Sequence, residues 1–152
     1  MLTIGDISAK IDKVLIDEMS TTMINIGNNL QRNDQFATGN TEDSLRVDAK
    51  DMKGTIYGAA HFDTLEEGIS PQRSKSESFL YKYRGIFMWS QAKGLMWTKR
   101  RAFVTAEMQE EYGSKLFRDG GRTDVWTSEE QPLMESLKER VAELLINEKW
   151  LE

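Results

Sequence analysis

The sequence predicts an α+β fold: a small antiparallel sheet of three to four strands, centred on a β-hairpin, packed against a long N-terminal helix and C-terminal helices. Three observations carry this. Apolar residues recur at spacings of three and four over residues 5–32. A period-two segment, a turn and a second strand follow over residues 44–62, and helical periodicity returns over residues 98–116 and 129–149. At 152 residues and 39% hydrophobic, the chain holds one ordinary core, so a single domain over 1–152 is expected.

The first helix carries Ile7, Ile11, Val14, Ile16, Met19, Met23, Ile26 and Leu30, with Asn28, Asn29, Asn33, Asp34 and Gly39 as stop signals. In the hairpin, Leu45, Val47 and Ala49 alternate with Ser44, Arg46, Asp48 and Lys50. Asp51–Gly54 is the turn, with Gly54 suited to a positive φ. Ile56 to Phe62 reads as the second strand, whose Gly58, Ala59 and Ala60 admit close packing of another element. Residues 68–78 (GISPQRSKSES) read as an exposed, flexible loop. Phe79, Tyr81 and Tyr83 alternate as in a third strand, and a helix running on into Gly85–Lys93 fits the same residues.

Thr98 is the expected N-cap of a helix carrying Ala102, Phe103, Ala106, Met108 and Tyr112. Arg118–Arg122 is a turn, and Thr123–Thr127 reads as a short edge strand. The last helix opens on a capping box, Thr127 to Glu130, with Pro132 in its first turn and Leu133, Leu137, Val141, Leu144 and Leu145 as its apolar stripe. Lys149 suits the negative end of that helix dipole.

Composition narrows the function classes. No apolar run approaches the ~18 residues that span a bilayer, and the first nineteen residues lack the basic and apolar pattern of a signal peptide. The absence of cysteine removes disulfides, thiolate nucleophiles and sulfur metal sites. A net charge of -5 argues against a protein that coats nucleic acid.

The order Thr38-Gly39, Ser44-Leu45, hairpin, Leu65-Glu66-Glu67-Gly68 and Pro71 resembles the tail-completion or head-tail connector (neck) proteins of tailed bacteriophages. Their pattern runs Thr-Gly, Ser-aliphatic, strand, Glu-x-Gly-Thr. Trp89 with Lys93-Gly94, the helix Ala102–Tyr112 ending at Gly113-Ser114, and the Gly-rich turn before the last helix continue the order, so the similarity covers most of the chain from about Thr38. Thr41, where the family often has an aliphatic residue, and Ile69, where it has threonine, are departures. The resemblance implies a non-catalytic structural virion protein, made in the host cytoplasm. It would form a ring of six or twelve copies between a portal-side adaptor and tail proteins, passing genomic DNA without binding it specifically. It implies no cofactor, no metal and no membrane.

A ring subunit needs two different, complementary surfaces. The loop after the hairpin is one candidate, through Glu66, Gly68, Pro71, Arg73 and Lys75, acting as an arm beside a strand open to β-augmentation. Residues 86–97, rich in Trp and Met, with Trp97 beside Lys99, Arg100 and Arg101, form the other. The same residue types equally fill cores and solvated helix faces. If the ring lines a DNA channel, the acidic total suits an electronegative lumen that repels phosphates. The alternative is a small metal-dependent or acid/base enzyme, or a stand-alone binding domain, using His61, Asp63 and Glu66; no second histidine, Gly-x-Ser-x-Gly elbow or phosphate-binding loop accompanies them.

Overall fold

The computed structural model describes residues 3–35 and 40–147. Helix α1, Ile4–Arg32, starts at a capping box: the Thr3 hydroxyl accepts the Asp6 N–H at 3.2 Å, and Asp6 Oδ2 accepts the Thr3 N–H at 2.8 Å. Ile7, Val14, Met19, Ile26 and Leu30 form its buried stripe. Asn33 is its C-cap, followed by Asp34 at φ 56°. Asn29, expected as a stop signal, instead lies buried inside the helix, and Thr38, Gly39 and Lys149 fall outside the described residues.

After the short helix α2, Asn40–Asp43, strands β1 (Arg46–Lys50) and β2 (Lys53–Tyr57) pair antiparallel, with Val47 opposite Ile56 and Ala49 opposite Gly54. The fold is α+β as expected, but among the described residues the sheet has two strands, not three to four. The hairpin is correspondingly shorter than 44–62.

Its turn is also built differently. The positive φ values fall on Asp51 (54°) and Met52 (61°), giving a two-residue turn that matches the twist of the strands. The Asp12 carboxylate on α1 holds that turn, accepting the N–H groups of Asp51 (3.2 Å) and Met52 (2.7 Å). Gly54 serves close approach instead: a Cβ there would lie 2.2 Å from Met19 Sδ, so the missing side chain lets β2 sit against α1.

Beyond Tyr57 the chain turns into α3, Thr64–Glu67, so the small residues 58–60 lie in a bend and not in a strand. The expected loop 68–78 contains helix α4, Pro71–Ser76, whose N-cap Ser70 accepts the Arg73 N–H and whose Pro71 stands at N1. Of the two readings of residues 79–84, the helical one holds, since α5 runs Phe79–Ala92. Helix α6, Lys99–Tyr112, is capped by Thr98 as expected but ends four residues early at Gly113, after which α7, Lys115–Arg118, begins.

Helix α8, Thr127–Asn147, packs along α1. With Thr127 as its first residue, Pro132 falls in the second turn, where its missing N–H leaves the Ser128 carbonyl without its usual partner. Glu18 of α1 accepts from the Ser136 hydroxyl and pairs with Arg140 at 3.6 Å, tying the two helices side by side.

The core lies where α1, the hairpin exit and the start of α8 meet. Ile26, Leu30 and Val125 are buried, with Leu45, Phe62, Leu65 and Trp126 around them and the Phe62 and Trp126 rings 5.2 Å apart. Each buried aliphatic there contributes about 1.5–3 kcal/mol. A second packing centre joins α4, α5 and α6 through the fully buried small residues Ser74, Ala102 and Ala106. No helix among the described residues is long and apolar enough to cross a membrane.

Candidate assembly surface

Glu66, expected at an interface, is 4% exposed and faces inward. Its Oε1 accepts the backbone N–H groups of Val125 (2.8 Å), Trp126 (2.7 Å) and Thr127 (3.1 Å), and its Oε2 accepts the Thr127 hydroxyl. These donors belong to the turn leading into α8 and to its first residue, and the carboxylate lies at the positive end of that helix. One side chain thus replaces the expected Thr127–Glu130 capping box. It also explains why residues 123–127 form no strand: the N–H groups of Val125, Trp126 and Thr127 are spent on Glu66. Asn29 completes the junction, donating to the Val125 carbonyl at 3.0 Å and to Glu129 Oε1 at 2.9 Å.

Gly68 is buried as well, at φ 76°, and a Cβ there would lie 2.4 Å from the Phe117 backbone nitrogen. The next residue is stapled to the end of α6, the Ile69 N–H donating to Ser114 Oγ (2.9 Å) and the Ser114 N–H to the Ile69 carbonyl (2.8 Å). Pro71 is half-buried at the start of α4. The segment after the hairpin is therefore an internal junction, not an arm; the reason is that Glu66 and Ile69 find partners within the same chain. Arg73 points across to Asp63, 2.6 Å away, and holds that carboxyl below the usual carboxylate range. Lys75 alone of this group is exposed without an ion pair among the described residues.

His61, Asp63 and Glu66 do not converge. His61 Nε2 lies 3.1 Å from the Thr41 hydroxyl, Asp63 serves Arg73, and Glu66 serves α8. Among the described residues no three His, Asp or Glu side chains are placed to hold a metal ion.

The second candidate surface is open. Trp97 is half-buried, its ring edge-on to Trp89 at 5.9 Å and covered by the Arg101 guanidinium at 4.4 Å. Both indoles, with Leu30, Leu65, Ile69 and Met108, line an apolar cavity of about 1040 Å³ beside the core. Lys99, Arg100 and Arg101 are exposed, and no ion pair engages them among the described residues. Of eighteen large apolar side chains exposed to solvent among the described residues, ten lie between Leu80 and Tyr112, on α5, α6 and their connection. Met96 is 82% exposed and Tyr81 75%.

The sequence signal for this surface was the density of Trp and Met in residues 86–97. What it missed was the apolar face of α6, where Phe103, Val104 and Met108 lie open. Compared with protein-family models, with curated proteins and with solved structures, the chain matches none.

Proposed function

We propose that this chain is a structural assembly subunit, and more specifically a virion protein of a tailed bacteriophage forming a ring in the neck between the portal side and the tail. The observation that carries the assembly role is its surface. The chain exposes 10242 Å², whereas a compact monomer of 17.5 kDa exposes roughly 7,900 Å². The apolar residues of α5 and α6 contribute to that surface although the composition is that of an ordinary soluble domain. A subunit that completes its packing against neighbours has this character. The phage assignment rests on the order of short motifs from Thr38 to the last helix. Two of them do structural work, Glu66 at the start of α8 and Gly68 against α7, which fits fold devices in a protein without catalysis.

Purified full-length protein tests the reading. Native mass spectrometry at micromolar to hundred-micromolar concentration is expected to give a closed species of six or twelve copies, with rings visible by negative-stain microscopy. A strictly monomeric protein that also fails to bind portal-side or tail components would overturn it. Portal and capsid genes upstream, with tail genes downstream, are the expected genomic neighbours.

A further inference from the structure

Charge is strongly segregated along the chain. Residues 71–101 carry eight lysines and arginines and a single acid, Glu77, whereas the remaining described residues carry twenty-two acids against eleven bases. Part of the basic segment is spent internally: Lys82 pairs with Glu110, Lys93 with Asp34 and Arg73 with Asp63. Lys75, Arg84, Lys99, Arg100 and Arg101 remain exposed with no ion pair among the described residues.

Two helices carry charge in the wrong place. Lys99, Arg100 and Arg101 occupy the first turn of α6, which has no acid, so three cations stand at the positive end of a helix dipole. On α8, Glu135, Glu139 and Glu143 are all exposed and spaced by four, with Lys138 three residues after Glu135 and Arg140 three before Glu143, and the last turn has no base. The α6 arrangement disfavours its own helix in isolation. The two stripes are opposite in sign, and no ion pair among the described residues joins them within one copy; α6 packs on α4 and α5, and α8 on α1.

Both stripes have apolar company. Val104 (43% exposed) and Phe103 (44%) follow Arg100 at spacings of four and three, and Ile146 (62%) follows Glu143 at three. Resting on the assembly reading above, we infer that the basic start of α6, with the open apolar face of the α5–α6 pair, docks on the acidic outer stripe of α8 in a second copy of this chain. The docked pair sets three cations against three carboxylates and brings the positive end of α6 to the acidic half of α8 that lies toward its negative end. It covers apolar side chains from both copies. Because the two surfaces differ, the contact is heterologous and repeats from copy to copy, closing into a ring where the rotation permits. A ring subunit buries about 800 Å² at each of two interfaces, roughly 1,600 Å² in all; the surface beyond that of a compact monomer, about 2,300 Å², is enough to supply both.

Charge reversal tests this with the full chain. The variants are K99E/R100E and E139K/E143K, followed by sedimentation velocity and native mass spectrometry in low salt. Each alone is expected to weaken assembly at least about tenfold. An equimolar mixture of the two is expected to restore it in even-numbered species of equal composition, since every α6 then meets an α8 of opposite charge. Misfolding does not mimic this result. Glutamate at positions 99 and 100 suits the helix start, and lysine at 139 and 143 breaks up the row of carboxylates, so thermal midpoints are expected to hold or rise. Wild-type assembly that neither reversal weakens would overturn the inference and leave the ring proposal standing. A wild type that stays monomeric at hundred-micromolar concentration would overturn both. Loss of duplex DNA retention in K99E/R100E with unchanged assembly would assign the basic segment to nucleic acid and overturn the inference alone.

Discussion

The α1–hairpin–α8 region and the α4–α5–α6 region solve the same packing problem in opposite ways. The first turns its apolar stripe inward: Ile26, Leu30 and Val125 are nearly inaccessible, and the polar groups around them are matched by Asn29 and Glu66. The second meets along small residues, Ser74, Ala102 and Ala106, and along aromatic edges such as Phe79–Phe103 at 5.0 Å, leaving much of its large apolar surface outside. Its one deeply buried charge, Lys82, is paired with Glu110 at 2.7 Å. The difference teaches that the chain has one region finished by intramolecular contacts and one whose outer face stays apolar and open.

The largest expected effect breaks the finished region. Glu66→Ala removes the buried acceptor for three backbone donors and one hydroxyl at the start of α8, and it is expected to cost about 3–4 kcal/mol. Glu66→Gln keeps an acceptor oxygen but loses the charge facing the dipole, at about 1–2 kcal/mol. Urea unfolding midpoints check both, and equal costs for the two variants would show that the charge contributes nothing.

Next comes the open region. Lys82→Ala strands the partly exposed Glu110 carboxylate and empties the space of the lysine stem, at about 2 kcal/mol. Hydrogen exchange is expected to accelerate in α5 and α6 while α1 amides stay protected. Uniform acceleration across the chain would erase the distinction between the regions.

The smallest effect sharpens the comparison on the finished side. Met52 holds φ 61° in the hairpin turn, a conformation glycine adopts without steric cost, so Met52→Gly is expected to raise stability by about 0.5–1 kcal/mol. A thermal melt with no gain would mean that Asp12, which accepts the Met52 N–H, already offsets the strain.

Legibility followed range of interaction. The Thr98 cap and α1 were readable to within a residue because caps and 3.6-residue periodicity are local. Residues 79–83 alternate as a strand does, yet they form a helix because Lys82 and Phe79 find partners on α6. Residues 123–127 read as an edge strand until Glu66, about sixty positions earlier, takes their donors. The interface reading divides in the same way: Trp97 and Lys99–Arg101 lie at an open surface, whereas Glu66 and Gly68 are sealed inside.

By itself the sequence determined the helix stripes, the existence of a hairpin and the segregation of charge, since each depends on residue type at short spacing. Only the tertiary structure decided the roles of individual residues from Asn40 to Pro71. A carboxylate two residues before a glycine, as Glu66 is before Gly68, reads alike as an assembly edge, a metal ligand or a cap. The choice belongs to whichever donors the fold brings within hydrogen-bond reach, and here they are the N–H groups of Val125, Trp126 and Thr127 leading into α8.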